Sequence, residues 1–498
     1  MDMEKNGKWR QPGQFWWLLP LFLYLAVNAV LILNHESWRD EAQAWQIARQ
    51  SGLKELFEQL KYEGHPCLWY LVLMPFAKLG YPFSGLSFLS LFFMAAAVWL
   101  LLAKSPFSPP VKLLSVFGSA FVYFYPVIAR SYCLIPPLLA FLALLYPVRR
   151  EKPVRYGAML GLLTQTHVLA AALSFSLSAA WLLETVFEWR TARQNEMGKQ
   201  GAAVWGGLGI SLLSGLFLVW ELAGSIGNNA SVHVRVSSSL GANLRQMGEA
   251  VWKAMQEFLG MKFDGTGAMV LMVLAAIGLA VLLFYAPRET VTLAAAYFIQ
   301  ILIFAYVYPA GIQSSLILVH ESIFLLWIIL QKDGGRKFQR IGVQAGLAAL
   351  LFVSLWNRAP DIYKDLELPY SSSKGMAACV RQNVPEEAPL IATGDLSAVG
   401  LSAYLPEREI WNPAEERTVE FSLWDERREK TISYEELVDR VMDRYPQAEG
   451  MYLICGEKSQ VPDWPEHTGE MEEICRLDFC IADEGAVLYY AEFPDGEK

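Results

Sequence analysis

Long apolar stretches separated by short polar turns run through the first 357 residues, after which the pattern breaks into short alternating pieces. Segments near 15–34, 84–103, 112–128, 132–147, 156–168, 169–187, 202–222, 267–285, 290–309, 314–331 and 341–357 read as spans, since a bilayer crossing needs about 20 apolar residues. They predict a polytopic α-helical membrane protein with about eleven spans. The 156–187 pair also reads as a single long helix. Residues 66–80 are apolar but short, with Pro66, Pro75 and Lys78 inside, and read as a re-entrant or surface-lying segment. Charge agrees with that reading. If 66–80 crossed, Arg149, Arg150, Lys152 and Arg155 would fall outside, against the excess of Lys and Arg in cytoplasmic loops. With 66–80 uncrossed, Lys5, Lys8 and Arg10 sit in the cytoplasm beside an uncleaved first anchor. Residues 35–83 then lie at the outer face, as do 223–266 and the tail.

Within 35–83 the period shortens. Residues 38–60 predict two amphipathic helices broken at Gly52, with Trp38, Ala42, Trp45 and Ala48 on one stripe and Leu53, Leu56, Phe57 and Leu60 on the next. Flanking tryptophans suit helices that lie in the interface. The tail predicts strands at 389–393, 451–455 and 487–493 and helices at 374–383 and 434–445, a small α/β domain. It contains no glycine-rich dinucleotide motif, P-loop or nucleophile elbow.

Charge sharpens the division. Residues 358–498 carry 14 Lys+Arg against 31 Asp+Glu, a net of −17, which leaves +8 on the first 357 residues of a chain whose total is −9. Two domains follow, a membrane domain over 1–357 and an acidic extracytoplasmic domain over 358–498. Membrane lipids are expected partners and nucleic acid is not. The six cysteines show no metal spacing, and Cys475 and Cys480 are near enough in sequence for a disulfide.

The candidate chemistry lies in Trp38-Arg39-Asp40-Glu41-Ala42-Gln43-Ala44-Trp45 and in Glu63-Gly64-His65-Pro66. Acidic side chains just outside the hydrocarbon need either solvent or a function. Asp40 reads as a general base or as a helix cap. Glu41 reads as its support or as a first-turn acid that suits the helix dipole. His65 can orient the carboxylate, bind an acceptor, or be a plain loop histidine. Arg39 and Arg130 suit a phosphate, a lipid headgroup or an ion pair with Asp40. Tyr132 reads as a substrate contact or an interfacial aromatic. His167 lies at an apolar turn, and His320-Glu321 is an intramembrane pair that sits in a site or near a helix end. Phe421–Asp425 reads as an acceptor-facing loop or as core.

RDEAQAW, then about twenty residues, then EGHPCLWYLVLMP resembles the first external loop of the GT-C superfamily. These are polytopic glycosyltransferases that draw sugars from polyprenyl-phosphate carriers, among them protein O-mannosyltransferases and the lipid A aminoarabinose transferase. The superfamily's Asp or Asp-Glu motif falls on Asp40 and Glu41. Its Gly-His-Pro-Pro falls on Gly64, His65 and Pro66, with Cys67 departing. Tyr125–Tyr132 is similar to a second external loop, which in some relatives adds an acidic residue, often a metal ligand. None stands here, which argues against metal dependence, although a divalent metal stays open. The Arg-His pair that relatives often carry after the ninth span is replaced by Tyr308–Ser315.

The resemblance implies a membrane glycosyltransferase of the cell envelope. It would take a polyprenyl-phosphate-linked sugar and a glycan, lipid or protein acceptor at the outer face of the plasma membrane. Asp40, Glu41 and His65 would be catalytic, with Arg39, Arg130, Tyr132 and His167 binding substrate. The competing class is a non-catalytic polyprenyl-lipid binding or transport protein on the same fold. A transporter would be expected to show inverted repeats with broken helices at the midplane, and the sequence has no such symmetry.

Overall fold

A bilayer leaves backbone amides no partners but their own, so apolar runs of this length fold as helices, and the computed structural model is dominated by them. It describes residues 15–191, 198–225, 236–261, 265–331, 337–425, 430–456, 459–461 and 471–493. In order come α1 (Leu18–Asn34), α2 (Arg39–Gln50), α3 (Leu53–Glu63), α4 (Leu68–Lys78), α5 (Leu86–Lys104), α6 (Pro109–Val116), α7 (Ile135–Leu145), α8 (Pro153–Thr164), α9 (Val168–Thr191) and α10 (Gly198–Leu222). They are followed by α11 (Leu240–Leu259), α12 (Gly265–Tyr285), α13 (Pro287–Tyr306), α14 (Ile312–Gln331) and α15 (Lys337–Glu367).

Among the described residues, seven helices are long and apolar enough to cross a membrane: Phe83–Lys104, Ser131–Val148, Val168–Arg190, Gly201–Leu222, Pro287–Tyr306, Ile312–Gln331 and Ile341–Glu367. Each overlaps a segment expected to span. Four other expected spans look different. The first, α1, has 17 residues and turns by 91° into α2. The 112–128 segment is broken, with α6 ending at Val116 and a π-helical turn following at Ala120–Phe124. The 156–187 pair is two helices, α8 and α9, parted at Gln165–His167. An apolar helix of 21 residues, α12, covers the fourth. The short segment at 66–80 is α4, whose 11 residues reach about 16 Å at 1.5 Å each, roughly half the hydrocarbon thickness.

Glycine permits the closest helix contact. A Cβ on Gly157 of α8 would strike the Gly207 carbonyl of α10, and one on Gly207 would strike that of Pro153. Small residues at such a crossing let backbones meet where no hydrophobic force separates protein from lipid.

The boundary drawn after residue 357 falls inside α15. Beyond it come α16 (Ser373–Asn383), β1 (Leu390–Ala392), α17 (Asp395–Tyr404), β2 (Trp411–Asn412), β3 (Arg417–Thr418), α18 (Tyr434–Arg444), β4 (Gly450–Gly456), β5 (Met471–Leu477) and β6 (Ala486–Glu492). The strands form one mixed sheet in the order β3-β2-β1-β4-β6-β5. Its centre is parallel, with Ile391 opposite both Trp411 and Leu453, and β4 runs antiparallel to β6 with Leu453 opposite Tyr489. Leu390, Ile391, Leu453 and Leu488 are buried within it. The disulfide is not the Cys475–Cys480 pairing that nearness in sequence allows: Cys379 of α16 joins Cys475 of β5, 96 residues away, while the Cys480 thiol is free. Packing of α16 across the sheet brings together sulfurs that sequence proximity does not.

The tail docks onto α2. The Gln43 side chain donates to the Ser422 carbonyl at 2.9 Å and accepts from its amide at 2.7 Å, and Gln46 donates to the Ser402 hydroxyl at 2.9 Å. Phe421–Asp425 is therefore, at Ser422, a buried seam between the two parts. The stripe Ala42, Trp45 and Ala48 is buried in protein, as are Leu56 and Leu60 of α3. This explains amphipathic helices that do not simply lie on lipid.

Candidate active site

Trp38 is the N-cap of α2, so Arg39, Asp40 and Glu41 make up its first turn. Neighbouring positions on a helix point about 100° apart, and the two acids meet different surroundings. Glu41 faces inward and is fully buried. One carboxylate oxygen accepts from the Ala129 amide at 2.7 Å; the other accepts from the Trp38 amide at 3.1 Å, closing the helix start, and meets His35 Nε2 at 3.2 Å. The capping hydrogen bond thus belongs to Glu41 and not to Asp40.

His35 Nδ1 in turn lies 2.8 Å from Asp365 of α15, whose same oxygen accepts from the Tyr123 hydroxyl at 2.9 Å. Burial opposes charge on His35, but the Glu41 and Asp365 carboxylates outweigh it and raise the imidazole to about 9. Both ring nitrogens then donate to carboxylates, so an imidazolium ties the end of α1 to the start of α2 and the end of α15. Neither His35 nor Asp365 stood out in sequence. The one available signal was a histidine, among six in the chain, placed between the first span and the acidic motif.

Asp40 faces a different environment. Its side chain is 28% exposed; one oxygen meets Arg130 Nη1 at 3.0 Å and the other lies 3.6 Å from Arg39 Nε. Arg130 also donates to His65 Nε2 at 3.3 Å. Gly64, at φ 70°, makes the left-handed turn that ends α3 and sets His65 in place. Burial and then the Arg130 charge lower His65 to about 4, against the raising effect of Asp40, so the ring is neutral and Nε2 accepts. Its Nδ1 has no hydrogen-bond partner among the described residues. The Arg130 guanidinium lies 5.7 Å from the Tyr132 ring centre. Tyr132 packs on His167 at 4.7 Å, and His167 on His65 at 5.5 Å. The fold thus gathers Arg39, Asp40, His65, Arg130, Tyr132 and His167 into one cluster, with Glu41 directly behind it.

The ring series continues inward. Tyr132 stacks on Tyr125, and Tyr125 on His320 of α14 at 4.6 Å. Glu321, next to it, is buried and accepts from Gln300 at 2.8 Å. In place of the relatives' Arg-His pair, Gln313 donates to the Phe124 carbonyl and its own carbonyl accepts from the Tyr125 hydroxyl. That region supports the floor of the cluster and adds no charge to it. Among the described residues, no group of three or more His, Cys, Asp and Glu side chains is arranged to hold a metal ion. Around Asp40 the donor set does not fit one, because guanidinium groups already face both carboxylate oxygens.

From the tail, Glu484 meets the same helix start, accepting from the Arg39 amide at 3.2 Å. Nothing in the sequence linked a residue 445 positions away to the motif.

No protein-family model matches the chain, and no curated protein matches it in sequence. Solved structures do. The crystal structure of ArnT from Cupriavidus metallidurans bound to undecaprenyl phosphate aligns at 11% identity and a TM-score of 0.51, over 96% of this chain and 98% of that one. The fold is that of ArnT. The apo crystal structure of ArnT aligns at 13% identity and a TM-score of 0.43, over 95% of this chain and 97% of that one. The near-complete coverage of both chains in the ArnT alignment means that the likeness takes in the membrane part and the tail together. The polytopic architecture expected from the apolar runs, with a C-terminal α/β region that carries a mixed sheet, is therefore present in this integral membrane protein.

Proposed function

We propose that this protein is a membrane glycosyltransferase of GT-C type, moving a sugar from a polyprenyl-phosphate donor to an acceptor on the extracytoplasmic face. The observation that carries the reading is the Asp40–Arg130 pair at 3.0 Å, set at the start of α2 on a fold whose relative ArnT has been crystallised with undecaprenyl phosphate.

With its side chains 21% and 28% exposed, this ion pair has lost part of its solvation, which offsets much of its Coulomb attraction. A lipid phosphate, with more charge and more acceptor oxygens, competes for Arg130 on favourable terms. In the proposed cycle the donor phosphate takes Arg130 and so releases the Asp40 carboxylate. Asp40 then accepts the acceptor's hydroxyl proton as the acceptor oxygen bonds to the anomeric carbon. The bond from that carbon to the phosphate oxygen breaks, and the polyprenyl phosphate leaves with its charge held by Arg130 and Arg39. His65, neutral at working pH, orients Arg130 through Nε2, and Tyr132 and His167 support the sugar side. Glu41 acts behind the site, fixing the direction of α2.

Orientation follows the positive-inside rule, with the N-terminus cytoplasmic and the tail outside. The Cys379–Cys475 disulfide supports an oxidising location for the tail. A second reading, lipid binding without chemistry, draws on the engagement of both Asp40 oxygens by arginines.

The test is transfer from a panel of radiolabelled polyprenyl-phosphate sugars in proteoliposomes, wild type beside Asp40→Asn. Transfer by wild type and a loss of about a hundredfold or more in the variant, at unchanged thermal stability, is expected. Full activity in Asp40→Asn would remove the base; no transfer by either, with donor lipid still bound, would favour the second reading.

A further inference from the structure

The tail is docked on α2 and places an acid, Glu484, against Arg39 of the cluster. We propose that Glu484 of the C-terminal domain is a positioning residue for the active site, sharing the Arg39 guanidinium with Asp40 and releasing it wholly to Asp40 when protonated. The inference rests on the glycosyltransferase reading for its effect on rate.

The geometry is that of one cation between two carboxylates. Arg39 Nε lies 3.6 Å from Asp40 and 3.7 Å from Glu484. It is buried and makes no hydrogen bond to either. A guanidinium nitrogen equidistant from two acids and committed to neither is easily shifted toward one of them. Glu484 itself is firmly held. Its oxygens accept from the Arg39 amide at 3.2 and 3.3 Å, and one also accepts from the Ser371 hydroxyl at 2.9 Å. Its own amide donates to the Cys480 sulfur at 3.1 Å, and its carbonyl accepts from Ser372. Asp483, with φ at 55°, makes the left-handed turn that presents it. A carboxylate on the first amide of α2 also suits the positive end of the helix dipole.

The charged and titratable groups around Glu484 are Arg39 and Asp40 of α2, Tyr370 ahead of α16 and the free Cys480 of its own loop. Burial pushes the Glu484 carboxyl up to about 7 against the lowering effect of Arg39. Below that pH Glu484 is neutral and Arg39 turns to Asp40, tying down the proposed base. Above it the cation is divided and Asp40 is less encumbered.

The experiment is the pH profile of transfer by the full chain in proteoliposomes, for wild type, Glu484→Gln and Glu484→Asp, with thermal unfolding as the check on folding. Wild type should gain rate as pH rises through about 7. Glu484→Gln should lose that rise and be roughly fivefold slower on the alkaline side, and Glu484→Asp should keep it. A slower Glu484→Gln that retains the rise would make Glu484 a structural cap only and overturn the inference, as would a variant identical to wild type. If Glu484→Gln does not fold, Ser371→Ala serves: loss of the hydroxyl that favours the ionised form should move the rise to higher pH, and an unmoved rise overturns the proposal. Infrared difference titration gives a readout that needs no turnover. A carboxyl C=O band should vanish with a midpoint near 7 in wild type and move to higher pH in Arg39→Gln; its absence from wild type sinks this inference alone. Absence of transfer by wild type at every pH sinks the glycosyltransferase reading instead.

Discussion

Two histidine-centred regions lie on either side of the α2 start, and they are built on opposite principles. Around His35 one imidazolium is shared by two carboxylates, Glu41 and Asp365, all three buried, with Tyr123 and two backbone amides donating to the same carboxylates. Around His65 the histidine is neutral, one of its nitrogens is unpartnered, and the nearest charges belong to a partly exposed arginine–aspartate pair. A buried charge network in low dielectric is costly to disturb. The partly exposed cluster around Asp40 is open to solvent and so to a ligand. Adjacent residues 40 and 41 therefore meet opposite surroundings, one at the proposed site and one in the frame.

Breaking the frame should have the largest effect on stability. Asp365→Asn or Glu41→Gln removes one of the two carboxylates that hold the His35 imidazolium, at a cost of about 1.5–3 kcal/mol, read as a fall in thermal unfolding temperature in detergent. Asp40→Asn should change that temperature little while removing transfer. If instead Asp40→Asn unfolds the protein and Glu41→Gln does not, the division is reversed.

The pH dependence of stability separates the two regions without mutation. His35 is raised from 6.5 to about 9 in the folded protein, so folding takes up a proton. Its contribution is fully present below about 6.5 and is lost as pH rises through 9. His65 is lowered from 6.5 to about 4, so its contribution is present above 6.5 and is lost as pH falls toward 4. Asp365→Asn should flatten the alkaline limb and His65→Asn the acid one, each measured by thermal unfolding across pH.

The smallest expected effect is on the incomplete side. His65→Asn removes the Nε2 acceptor that steadies Arg130, worth roughly 1 kcal/mol, and should slow transfer about fivefold with stability at neutral pH preserved. A loss as large as that of Asp40→Asn would mean that His65 touches the reacting atoms directly.

What was legible in the sequence was local. The break at Gly52, the amphipathic stripes of α2 and α3, the short α4 and the strands β1, β4 and β6 all rest on periodicity within a dozen residues. An ion pair of Arg39 or Arg130 with Asp40 was open as one of several readings, because motif positions 90 residues apart shared a membrane level. The illegible parts are those that depend on contacts across the whole chain. Glu41 is set by Asp365 through His35, and Arg39 by Glu484, over hundreds of residues. Asp395–Tyr404 reads as mixed polar and apolar sequence, yet packs as α17 against α2. The disulfide followed the path of α16 and not the nearness of Cys475 to Cys480. Periodicity carries no information about which distant segment meets a helix start.

The central claim is that Asp40 and a lipid phosphate compete for Arg130, and equilibrium binding of polyprenyl phosphate to the purified full chain tests it most directly. Asp40→Asn should bind at least as tightly as wild type, since the competitor is gone, and Arg130→Ala about tenfold or more weakly. Equal weakening of binding in both variants would contradict it, because the aspartate would then hold the lipid with the arginine and not in place of it.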